Sequence, residues 1–186
     1  MIAMFGFSTN ADDAVGGAAK PSVVWTDVAA RAESTPAADL TAAKAKIDAL
    51  AEPVRKRAET LLTQVAGVTL DAVGIQQAVT LLNSEVPGFF RYAPGERPGQ
   101  DHPHGTAVRG AALLLLRGLL FSAGKRAKSH NHPASATAGI LGGLRACRVF
   151  RPLDQTKLEE DLMLVVSSKV YFAAEQILAD KSTAKQ

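Results

Sequence analysis

Two short stretches of the chain hold the residues best suited to chemistry: Asp101-His102-Pro103-His104-Gly105 and Ser129-His130-Asn131-His132-Pro133. Between them they contain all 4 histidines of the sequence. Imidazole nitrogens ligate zinc and other transition metals, a His-x-His step offers two of them, and two such steps would complete a tetrahedral set. His102, His104, His130 and His132 are therefore candidate metal ligands. A single site within one chain is opposed by their separation, because a continuous helix of about 24 residues between the pairs would hold them roughly 36 Å apart. Two separate sites, or one shared between subunits, would escape that objection. The competing reading is that histidine-proline steps punctuate loops at helix ends, and the spacing favours it.

The segment Ser129 to Pro133 resembles the histidine motif of the JAMM and RadC-like metalloprotease superfamily, in which two histidines one residue apart and a downstream aspartate bind zinc. That pattern places a serine at position 140 and an aspartate at 143, where this chain has Ile140 and Gly143. The family is also built on a sheet, for which the sequence gives no signal, so its activity is not carried over. The remaining chemistry is sparse. The lone cysteine, Cys147, excludes an internal disulfide and sits among small residues where packing is its expected role. Asp101 beside His102 is an acid/base pair with nothing else in line. The chain lacks a glycine-rich phosphate loop, a nucleophile elbow and a two-cysteine metal pair. These observations predict a non-enzymatic protein without a cofactor.

Charge is the stronger signal. Between Arg91 and Arg151 stand 10 basic residues against 2 acidic ones, whereas the rest of the chain has 11 basic and 16 acidic, giving the overall +3. Arginines and lysines gathered this way suit a polyanion, with affinity that falls steeply as salt rises. The candidate nucleic-acid contacts are Arg91, Arg97, Arg109, Arg117, Lys125, Arg126, Lys128, Arg145 and Arg148. Arginine predominates, which matches bidentate phosphate recognition. The alternative is internal neutralisation against carboxylates of the first and last helices, such as Glu159, Glu160 and Asp161. Arg109 and Arg117 bear on this choice: they lie in a very apolar helix, and if buried they need an acidic partner or a phosphate.

The elements that position these residues are helical. Alanine is abundant, aromatics make up 5% of residues, and apolar side chains recur at three and four residues. Leu40, Ala43, Ile47, Leu50, Val54, Ala58, Leu61 and Val65 form one such face. Pro53 within it predicts either a kink or two abutting helices, and Gly67 a stop. A second helix is expected from Leu70 to Asn83, capped by Thr69 and ended by Pro87 and Gly88. After a long irregular connection, a helix from Thr106 to Lys128 is apolar on nearly every side, which makes it central or buried between subunits. Ser135, Gly139, Gly143 and Cys147 then recur every four residues as a ridge for close helix packing. A last helix is expected from Gln155 to Asp180.

The sequence thus predicts an all-α bundle of about five helices over residues 38–182, with an extended arm over 1–37 and a polar tail over 183–186. The N-terminus has no basic segment before its short apolar start, so no secretory signal is expected, and Arg109 and Arg117 speak against a membrane span. A virion or cytoplasmic location follows. The expected function is a self-assembling structural protein of the coat or nucleocapsid kind. It would form a homo-oligomer through the arm, with Phe5, Phe7 and Trp25, and through its apolar helices. Its basic middle would contact nucleic acid. A metal-binding protein using the histidine pairs, and a helical accessory subunit meeting an acidic protein, are the alternatives.

Overall fold

In a computed structural model, residues 37–89, 103–146 and 152–185 are described. They form seven helices: α1 (Ala37–Asp48), α2 (Glu52–Ala66), α3 (Ala72–Phe89), α4 (Pro103–Lys128), α5 (Pro133–Arg145), α6 (Pro152–Val166) and α7 (Ser168–Thr183). The fold is all-α, and no strand occurs among the described residues. The count exceeds the expected five because two runs of helical periodicity are each broken in the middle.

The first break lies at Pro53. Proline occupies the first turn of α2, where its missing N–H would lack an intrahelical partner anyway, so the chain restarts there. Ala58, Leu61, Leu62, Val65 and Ala66 form the buried stripe of α2. Gly67 closes the helix, but with φ −80° it needs none of glycine's left-handed freedom. The second break, at Ser167, was not legible from spacing. Leu162, Val166, Tyr171 and Ala174 are all buried, so the apolar rhythm continues across it. Ser167 nonetheless adopts φ 78° and redirects the chain.

The helix after Gly67 also departs from expectation at both ends. Thr69 is not its cap: the Asp71 carboxylate accepts a hydrogen bond from the Gly74 N–H at 2.9 Å and another from the Thr69 hydroxyl at 2.8 Å. Aspartate caps directly, and threonine supports it from outside the helix. At the other end α3 continues through Pro87 to Phe89. A proline there removes one backbone bond, whereas later residues still reach carbonyls of the preceding turn.

The apolar helix of the sequence is the axis of the molecule. α4 packs against α1, α2, α3, α5 and α6. Leu115, Leu116, Leu119 and Leu120 are fully buried, while Leu113, Leu114 and Phe121 are partly covered. Full burial of such a side chain contributes about 2 kcal/mol each before entropy is counted. By length and composition, residues Gly105–Lys128 would suffice to cross a membrane, but 61% of the most apolar window is buried by the bundle's own helices. The small-residue ridge does bring helices close. A Cβ on Gly139 would lie 2.8 Å from Ala72 Cβ, and one on Gly143 3.3 Å from Gln76 Cβ, both on α3. Gly142 turns towards Leu178 of α7, so α5 is clasped on two sides. Its fourth member, Cys147, lies outside the described residues, as does the arm over 1–36.

Candidate functional site

The candidate contacts fall into four groups. Arg91, Arg97, Arg148 and His102 lie outside the described residues. Arg109 is partly buried on α4. The others divide between arginines bound to carboxylates and cations exposed at the end of α4.

Arg117 and Arg145 belong to the first kind. Arg117 Nε donates to Asp161 Oδ2 at 2.6 Å, linking α4 to α6, with both side chains about three-quarters covered. The hollow beside Arg117 is lined by Asp39 and Asp154 as well as Lys157, an acidic setting for a phosphate. Arg145, at the end of α5, donates two parallel bonds to Glu159 at 3.0 and 2.9 Å and a third to Glu175 at 2.7 Å. Gln155 and the Tyr171 hydroxyl also donate to Glu159, at 3.0 and 3.2 Å. Burial pushes the Glu159 carboxyl up, but the bonds from Arg145, Gln155 and Tyr171 outweigh it and hold the group below its ordinary value. Burial, followed by the charge of Glu159, raises the Tyr171 phenol to about 12. Two of the carboxylates named from sequence as possible internal partners, Glu159 and Asp161, are thus engaged.

The exposed cations are Lys125, Arg126 and Lys128 in the last turn of α4. A helix C-terminus favours positive charge, which accounts for part of their placement. Next to them the chain turns through Ser129 to His132 into α5. The Ser129 N–H bonds to the Arg126 carbonyl and the His130 N–H to that of Ala127, each at 3.1 Å. The His132 backbone N–H donates to His130 Nδ1 at 3.4 Å, so the His130 imidazole folds back over the turn. α5 begins at Pro133 without a side-chain cap from His132.

This turn forms one wall of a cleft of about 920 Å³ between the end of α4, the start of α5 and the start of α3. Its floor is apolar, made by Leu70, Ala72, Ala123, Ala127, Ala136 and Ile140. Its rim carries Lys125, Arg126, Ser129, His130, His132 and Ser135, with Asp71 as the one carboxylate among the described lining residues. The Gly74 N–H and the Thr69 hydroxyl, helped by the charge of Arg126, hold Asp71 below the usual carboxylate range. Lys125 Nζ lies 4.7 Å from the centre of the Phe121 ring, which steadies it at the edge.

The histidine pairs stand apart. His104 is in the first turn of α4 and His130 just past its last, so the 26 residues of that helix separate them by roughly 39 Å. Among the described residues no group of three or more His, Cys, Asp or Glu side chains is arranged to hold a metal ion. The metalloprotease-like segment opens a helix here, with Ile140 buried in the core where that pattern places a serine.

Sequence reasoning missed the apolar floor, Asp71, Ser129 and Ser135. Asp71 could have been found from Thr69-x-Asp71-x-x-Gly74, a cap with its supporting hydroxyl. The floor could not, because its residues come from three separate segments and are mostly alanines. No family model matches the chain, and no curated protein or solved structure shows significant similarity to it.

Proposed function

We propose that this chain is a structural, self-assembling protein of the coat or nucleocapsid kind that contacts nucleic acid through the end of α4. One observation carries the reading: Lys125, Arg126 and Lys128 are exposed together in the last turn of α4, and the cleft bordered by Lys125 and Arg126 has one carboxylate among its described lining residues, Asp71, already engaged as a helix cap. Exposed cations that outnumber the acids beside them attract phosphates and release counterions on binding. Arg117 and Arg145 play a different part, joining α4 and α5 to the last two helices. The basic middle of the sequence therefore divides into a binding end and a set of internal ties.

The test is salt-dependent binding of a labelled nucleic acid to the purified protein. Replacing Lys125, Arg126 and Lys128 with serine should flatten the plot of log affinity against log salt by about 2, given roughly 0.7 to 0.9 per phosphate contact. Arg117→Met should leave that slope unchanged and lower stability instead. An unchanged slope in the triple variant would overturn the reading. Capture of an acidic protein without nucleic acid by the same surface would replace it with that of an accessory subunit.

A further inference from the structure

A surface that only follows a phosphate backbone needs positive charge and little depth, yet the cleft at the α4–α5 turn has both charge and an apolar floor. Its volume, about 920 Å³, falls within the range of small-molecule sites. The two characters are segregated. Alanines and the Leu70 and Ile140 side chains lie at the bottom, while the cations, imidazoles and hydroxyls stand around the edge. An amphipathic anion matches this layout, with a flat weakly polar body for the floor and a phosphate for the rim.

We propose that the cleft receives one unpaired nucleotide, its base on the apolar floor and its phosphate at Lys125 and Arg126. This rests on the nucleic-acid reading above and narrows it to single strands. In a duplex the bases are stacked and paired, so a protein meets phosphates and groove edges but no free base face, and the floor would stay empty. In a single strand a base can splay out and be covered by apolar and imidazole groups. The His130 ring is held at the mouth by the backbone N–H of His132, where a base can stack against it. Asp71 lines the same cleft, and the bonds from Gly74 and Thr69 fall on its Oδ1. Its carboxylate can also accept from the exocyclic amine of cytosine, adenine or guanine.

The experiment compares four probes by fluorescence anisotropy and competition at one ionic strength: a single-stranded oligonucleotide, a duplex of equal length, a mononucleotide and inorganic phosphate. The single strand should bind at least tenfold more tightly than the duplex. Ser135→Phe, placed at an exposed rim position, should fill the cleft and abolish that preference without changing duplex affinity. Ser129→Phe, in the turn before α5, is a second block should the first perturb folding. Equal affinity for both strands and duplex, unaffected by either block, would overturn the cleft as a base site while leaving the nucleic-acid reading standing. Binding of neither would overturn both. Tighter binding of the mononucleotide than of the strand, lost in Ser135→Phe, would keep the nucleotide chemistry and overturn the strand as its source. Inorganic phosphate competing as well as the mononucleotide would remove the base from the proposal and overturn it.

Discussion

At the scale of single residues, two glycines of similar appearance in the sequence have opposite roles. A Cβ on Gly74 would lie 1.7 Å from the Thr69 carbonyl oxygen and 2.7 Å from its hydroxyl, because the Asp71 cap folds the preceding chain over the first turn of α3. The obstacle is largely backbone and cannot yield without breaking the cap. Gly74→Ala should therefore cost about 2 to 3 kcal/mol, combining an overpacked contact with a weakened cap. Gly110, in the middle of α4, has nothing within 4 Å of the same position. There alanine only restricts the unfolded chain, and Gly110→Ala should stabilise by about 0.5 to 1 kcal/mol. Urea titration of both variants checks the pair, and a loss at Gly110 would mean that its surface is engaged. Nothing in the sequence separates the two, since the difference lies in how Thr69 is folded back.

At the scale of elements, the main departure from the sequence reading is the elbow at Ser167, and Arg145 shows how it is held. Hydrophobic spacing says which side chains face inward, but it is silent about a single residue that changes direction while the rhythm continues. The positive φ of Ser167 is costly for a residue with a Cβ. Offsetting contacts must come from elsewhere, and Arg145 bonds Glu159 before the elbow and Glu175 after it. The charge pairing itself was legible, since basic and acidic residues segregate along the chain and packed helices bring them together. Which arginine meets which acid depends on the close approach of α5 to its neighbours through Gly139, Gly142 and Gly143, a three-dimensional fact. The network makes a signed prediction. The Glu159 carboxyl is held below its ordinary value in the folded protein. Its stabilisation is therefore present above the unfolded value, about 4.3, and lost as pH falls through the folded one. Glu159→Gln should cost about 1 to 2 kcal/mol at pH 7, discounted for the partial exposure of Arg145. The gap from the native protein should narrow as pH is lowered from 5 to 3. A gap that stays constant over that range would show that packing, and not charge, holds the elbow.

At the scale of the whole molecule, the bundle uses its own most apolar helix, which changes where the proposed self-assembly would be sought. From sequence, α4 was as suitable for a subunit interface as for a core. Its position among five other helices leaves little of it for a second copy. Among the described residues only Val73, Leu164 and Phe172 are large hydrophobics with exposed surface, at 71%, 80% and 59%. They lie on α3, α6 and α7, and scattered apolar side chains of this kind are normal on a monomer. On the proposed reading the interface draws on large apolar residues outside the described bundle, and the arm, with Phe5, Phe7 and Trp25, is the first place to test. The core of the described residues is drawn from Ala43 to Ala174. A chain beginning at Ala37 should consequently unfold cooperatively, with a midpoint within a few degrees of the full chain at equal concentration. Light scattering should find it monomeric where the full chain forms larger particles. It should keep the salt-dependent affinity of the α4 end for a short oligonucleotide, because one site needs one subunit. On a long strand it should lose apparent affinity, by a factor that grows with strand length, as linked sites no longer act together. Particles of undiminished size from the shortened chain would move the interface back onto the bundle, with the surfaces around Leu164 and Phe172 as the place to look.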